Sequence, residues 1–349
     1  MESLDRISRE RGGRSSSGIE NPKQEENNVR EHLERVSLET EAKYPETCEL
    51  VRHMLDVADF KTLYEIFGEY LEKSDVSRDR MNLDCRFYFD ESLDDRNALM
   101  TYAPTANAIR INIPYLDRIL GDPNKPSSLI YGSFISDLAH EFTHVFSRIR
   151  HERTDNDDPD NPKHRNLITA GGLQEVATVT DARTGERLGK RTWNSLFMEG
   201  VTELISHEVA EEYARRSPLD PDSVLRDSKP NLTRFLAEQN IAERRNDYSV
   251  AQRFVIALTD AIAERVGVSQ EVVWRAVERQ YFSGELKPFD FTGHFDELFG
   301  DGFAKELSDA DDALAITNLA LRFKEISAKY PEAVEKWLGR LDLTRGAKK

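Results

Sequence analysis

The 349-residue chain has only two cysteines, Cys48 and Cys85, far apart in sequence and in no C-x-x-C spacing. No disulfide framework and no cysteine-based metal motif can be read from them. Basic residues are in the minority: 48 Lys and Arg stand against 64 Asp and Glu, a formal net charge of −16. That balance argues against nucleic acid, or an anionic membrane surface, as a partner. No run of 18 apolar residues is present, so no membrane-spanning helix is expected. The opening residues Met1-Glu2-Ser3-Leu4-Asp5-Arg6 lack the apolar centre of a signal peptide. A cytoplasmic location is therefore the expectation, with export by a route that leaves no such signal still open. What the chain does have is 38% apolar and 32% charged residues, the mixture of a soluble protein. Its length suits one large domain or two moderate ones sharing a cleft. No internal repeat is seen, and no apolar stripe stands apart from core periodicity to fix an oligomeric state.

Residues 1–28 are polar, with Gly12-Gly13, Ser15-Ser16-Ser17 and Gln24-Glu25-Glu26-Asn27-Asn28. They hold too little apolar surface to offset the entropy of ordering, and a disordered tail is expected. Residues 29–80 read as a helical N-terminal region with Leu50, Met54, Leu55, Val57, Leu63, Ile66, Phe67 and Leu71 as core positions. Residues 83–89, 97–102 and 108–113 then read as three strands in a meander, with a turn at Pro104-Thr105-Ala106-Asn107. A break at residues 121–126 leads to Ser127 or Ser128 as a helix cap. After that helix come a polar loop with His151 and His164, then a short hairpin over residues 176–193. A second amphipathic helix opens near Asn194 or Ser195. From about residue 216 onward the pattern is helical, over 250–266, 269–281, 310–325 and 332–341. Strands followed by segregated helices indicate an α+β fold.

The helix after residue 127 carries Leu138-Ala139-His140-Glu141-Phe142-Thr143-His144. Histidines four residues apart lie on one helix face, one turn apart, so both imidazoles can reach a single ion. Glu141 shares that face closely enough to touch a metal-bound water. Phe134, Ile135, Leu138, Phe142, Val145, Phe146 and Ile149 form the opposite, core-facing stripe. The same letters also fit an ordinary helix with two histidines and a solvated glutamate, so the surrounding chain must decide.

A catalytic zinc takes three protein ligands and keeps a fourth position open. An extended form of the motif supplies a glycine three positions after His144 and a histidine three beyond that, but Ser147 and Arg150 stand there. The chosen third ligand is Glu199, at the start of the second helix. Glu203, at i+4 on the same face, can accept the remaining ring N–H of a ligating histidine. An ordinary acidic helix face is the alternative reading of this pair, and His207, His151 and His164 compete for the ligand position. Asp137 and Arg148 share the histidine face, one turn to either side.

His140-Glu141-x-x-His144 followed by Met198-Glu199-Gly200-Val201-Thr202-Glu203 resembles the gluzincin metallopeptidases. There the third zinc ligand is the glutamate of an N-E-G or N-E-A segment on a second helix, followed four residues later by an acidic partner. The resemblance covers residues 81–215, and Met198 stands where many members have Asn. It implies a zincin-like catalytic subdomain over 81–215 and a helical C-terminal subdomain over 216–349. It also implies Zn2+ held by His140, His144 and Glu199, with Glu141 as general base. An oxyanion donor would come from the C-terminal part, with Tyr248 as the candidate and Tyr281 and His294 behind it. The substrate would be a peptide or protein, paired along the strand at residues 108–113. A catalytically inert relative acting as a protein-interaction module is the alternative, against which the presence of Glu141 argues.

Overall fold

A computed structural model of the chain describes residues 22–81, 83–93, 98–120, 127–147, 149–155, 164–171, 174–181, 187–193, 195–217, 247–266, 269–283, 301–310 and 315. The sequence readings at residues 1–21, 121–126, 156–163, His294 and 332–341, and most of 310–325, lie outside them.

Three helices open the described chain: α1 (Pro22–Lys43), α2 (Pro45–Val57) and α3 (Phe60–Lys73). α1 reaches back into the stretch expected to be a disordered tail. Proline suits the first helical position, Gln and Glu are good helix formers, and Glu26 pairs with Arg30 at i+4, 2.9 Å apart. α3 is capped by Asp59, whose carboxylate accepts from Thr62 N at 3.0 Å. It ends in the polar turn read from the sequence, where Asp75 takes a positive φ of 59°.

Three strands follow: β1 (Arg86–Asp90), β2 (Met100–Ala103) and β3 (Ala108–Asn112). They do not form the expected meander. Their order is β1-β3-β2, with β1 parallel to β3 and β2 antiparallel to it. β3 is thus the central strand, with Ala108, Ile109, Ile111 and Asn112 all buried. β2 and β3 form a hairpin closed at Pro104–Asn107, where Asn107 takes the left-handed conformation with φ 46°. The outer edge of β1 is covered by α1: Ser37 Oγ accepts from Phe89 N and Thr40 Oγ1 from Glu91 N, each at 3.1 Å. These two hydroxyls occupy alternate amides of an edge strand that would otherwise be open to pairing.

A short helix not read from the sequence, α4 (Ile113–Leu120), leads to α5 (Ser127–Phe146). Its start is set by Asn112, whose side chain accepts from Tyr115 N at 3.1 Å. α5 stops at Ser147, whose amide bonds back to Thr143 O and whose hydroxyl donates to His144 O at 2.6 Å. Ile149, read as part of the helical stripe, instead opens a strand. Four strands, β4 (Ile149–Asp155), β5 (His164–Gly171), β6 (Gln174–Asp181) and β7 (Arg187–Trp193), pair antiparallel in chain order. The sequence reading captured only β6 and β7, and placed β4 in a polar loop. Then come α6 (Ser195–Arg216), α7 (Asp247–Val266), α8 (Gln270–Ser283) and the short α9 (Phe303–Asp309).

α6 is the pivot of the packing and contacts α5, α7 and α3. It was expected to be amphipathic but is buried nearly all round its first half, with Thr202, Glu203 and Ser206 inside beside Val201 and Ile205. One apolar cluster runs from Cys48 to Ala310 and takes residues from α2, α3, the three-stranded sheet and α5 to α9. At its centre Phe142 lies 5.5 to 6.2 Å from the rings of Phe60, Tyr64, Phe87 and Phe146. Each such ring contributes about 1.5–3 kcal/mol by burial. α5 is thereby fixed in orientation, with the opposite face turned toward α6. No described helix is long and apolar enough to cross a membrane.

Candidate metal centre

The face of α5 opposite Phe142 presents His140 and His144 to the first turns of α6. Glu199 Oε2 lies 3.3 Å from His140 Nε2 and 3.5 Å from His144 Nε2, and the two Nε2 atoms are 3.1 Å apart. These three atoms form a nearly equilateral triangle. Ligands held at 2.0–2.1 Å around a tetrahedral zinc are separated by roughly 3.3–3.4 Å. Among the described residues this is the group of His, Cys, Asp and Glu side chains that could hold a metal ion.

The bonding around the triangle supports the same conclusion. Glu199 Oε2 is buried and makes no geometrically sound hydrogen bond, although both imidazole nitrogens lie close. A buried carboxylate oxygen left in that condition costs free energy unless a cation completes its surroundings. Glu203 Oε1 lies 3.4 Å from His140 Nδ1, on the far side of the ring from Glu199. A carboxylate there favours the tautomer with the proton on Nδ1 and the lone pair on Nε2, facing Glu199. Glu141 is buried as well, and no hydrogen bond engages its carboxylate among the described residues.

Three buried carboxylates and two imidazoles are far from neutral without a cation. Burial works against a charged His140, but Glu203 and Glu199 outweigh it and raise its pKa well above the ordinary value. Burial likewise works against a charged Glu199, yet His144 and His140 hold it below the usual carboxylate range. For Glu141 burial wins: its pKa is raised, with the histidines opposing and Glu199 and Asp137 reinforcing. A carboxylate of raised basicity is suited to take up a proton.

Of the competing ligands, His207 lies eight residues beyond Glu199, about 12 Å further along the helix. It faces Glu211 instead, at 3.9 Å. His151 lies in β4 and His164 opens β5, and their side chains lie outside the described residues, as does Arg148. Cys85 is not part of the cluster; burial pushes its thiol up to about 12.

Two features were invisible in the sequence. A Cβ added at Gly200 would meet Ala251 backbone atoms at 2.8 and 2.9 Å, so the glycine lets α7 cross directly beside Glu199. Tyr248 lies three residues before Ala251 on that crossing helix; its side chain is outside the described residues. Tyr281 is fully buried, with its hydroxyl 2.9 Å from Thr202 Oγ1. It faces the seam between helices, so the reserve role of oxyanion donor does not fit it. Burial raises its pKa far above the usual tyrosine value, and the hydroxyl keeps its proton.

Comparison with protein-family models, curated proteins and solved structures returns no match. The class defined by fold and site is thus a mostly helical α+β protein with a small mixed three-stranded sheet and a His-His-Glu cluster able to hold a metal ion.

Proposed function

We propose that this protein is a zinc-dependent metallopeptidase of the gluzincin type. The observation that carries the reading is the triangle of His140 Nε2, His144 Nε2 and Glu199 Oε2, with tetrahedral edge lengths and an unsatisfied carboxylate oxygen. Two nitrogens and one carboxylate oxygen suit zinc better than magnesium or calcium, which favour oxygen donors. The bound ion would polarise a scissile carbonyl and acidify a water at the open fourth position. Glu141 would take the proton from that water and deliver it to the leaving amine. Glu203 keeps the His140 ring oriented and its Nε2 free of a proton.

The substrate class follows as an extended peptide or unfolded protein. The strand expected from the sequence to pair with it, at residues 108–113, is β3, and it cannot do so because both its edges are paired. The alternative is β2, an outer strand that packs beside α5, whereas the β1 edge is occupied by α1. Tyr248 remains the candidate donor to the developing oxyanion, on the helix whose Ala251 crosses α6 at Gly200.

Glu141→Gln tests the chemistry. The variant is expected to retain the metal and lose hydrolysis of an unstructured protein by roughly 10²–10⁴-fold. Wild-type rates in that variant would remove Glu141 as the base, whereas absence of hydrolysis by metal-loaded wild type would favour the inert interaction module.

A further inference from the structure

The three ligand atoms come from two helices separated in sequence by the whole of the β4–β7 sheet. Their spacing therefore depends on how α5 and α6 are held apart, and one side chain from a third helix touches both. The Tyr281 hydroxyl lies 2.9 Å from Thr202 Oγ1 on α6 and 3.5 Å from the Thr143 carbonyl oxygen on α5. Thr143 immediately precedes His144, and Thr202 lies between Glu199 and Glu203. All three contacting residues are fully buried.

Thr202 Oγ1 also reaches Met198 O on its own helix, at 2.9 Å, and Thr143 Oγ1 donates to Ala139 O, at 2.8 Å. The Tyr281 and Thr202 hydroxyls are hydrogen-bonded with either as donor, and Thr143 O is the longer acceptor for the phenol proton. Tyr281 itself is held independently of the metal helices. One turn before it on α8, Glu278 accepts from Ser74 Oγ at 3.2 Å, just past the end of α3.

We propose that Tyr281 is a positioning residue for the metal triad: its hydroxyl sets the separation of α5 and α6, and with it the distance from Glu199 to the two histidines. This rests on the metal-centre reading. A metal site tolerates ligand displacements of only about 0.2 Å, so a seam relaxed by loss of one buried hydrogen bond weakens binding without unfolding the protein. The ring is fully buried and packed against Phe282 with centroids 5.1 Å apart, so Tyr281 acts through the helices and not on a substrate.

The test uses Tyr281→Phe, which keeps the ring, and Thr202→Val, which keeps the shape of the other partner. Thr202→Ser restores the hydroxyl as a control. Zinc dissociation constants are measured by competition with a chromophoric chelator, on full-length protein whose fold is checked by its metal-free unfolding midpoint. Each hydroxyl-deleting variant is expected to bind zinc roughly 10–100-fold more weakly. The double variant should be no weaker than either single one, and Thr202→Ser should match wild type. Wild-type affinity in Tyr281→Phe, or losses that multiply in the double variant, would overturn the proposal. Should Tyr281→Phe fail to fold, Thr202→Val carries the test from the other side of the bond. Wild-type protein that binds no zinc would overturn the metal reading and the proposal together, a result distinct from a wild type and a Tyr281→Phe that bind equally well.

Discussion

Among the described residues, carboxylates are buried at Glu278 and again between α5 and α6, and the two places differ in how the burial is satisfied. At the seam of α3, α6 and α8, Glu278 is buried beside Ser74 and Tyr70, with Glu208 near by. Ser74 donates to Glu278, and the Tyr70 hydroxyl donates to Glu208 at 2.7 Å. Burial pushes Glu278 up to about 7; the hydrogen bonds from Tyr70 and Ser74, and Arg275, oppose, and Glu208 adds to the rise. That group solves its burial by hydroxyl donors and by holding a proton. Among the described residues the α5–α6 group has no hydroxyl bonded to Glu199 or Glu141, and it presents two nitrogens and a bare oxygen to one point. The first is a packing solution, whereas the second could hold a metal ion.

The comparison makes opposite predictions for pH. Without metal, His140 holds a proton at a pKa well above its ordinary value, so metal must displace that proton. Metal affinity should level off at high pH and fall as pH drops through the raised value, by about tenfold per unit. A chelator competition series between pH 9 and 6, as working limits, checks this; a flat profile would mean that no buried histidine is displaced. Glu278 works in the other direction. Its folded pKa lies above the unfolded value, so the folded state holds more protons over the window from the ordinary glutamate value of 4.5 to about 7, and stability falls as pH rises through it. Glu278→Gln should remove that slope, on the order of 3 kcal/mol across the window, and raise the unfolding midpoint at pH 8. An unchanged slope in the variant would assign it to another group.

Much of the metal centre was legible because it is local. His140, Glu141 and His144 share one helix turn, and the 3.6-residue spacing of Leu138, Phe142 and Val145 fixes which way that face points. Glu199 could be found because its helix start and the acidic repeat at Glu203 are also local. What could not be read is non-local or polar. The β1-β3-β2 order depends on pairing partners, which the alternation in Ile109 and Ile111 does not specify. β4, with Arg150, His151, Glu152, Arg153 and Thr154, has the composition of a loop and is a strand through its backbone ladder. Thr202 and Ser206 are polar positions with no partner legible in the sequence, yet both are buried in α6. Nothing in the sequence singles out Glu278, whose burial depends on neighbours from α3.

The most direct test of the account is metal content per chain, by elemental analysis of protein purified without chelator, for wild type and Glu199→Ala. The account predicts about one zinc per wild-type chain and a large loss in the variant, which keeps its fold. Folded wild-type protein that takes up no zinc even when it is supplied, or a Glu199→Ala variant that retains its full content, would contradict it.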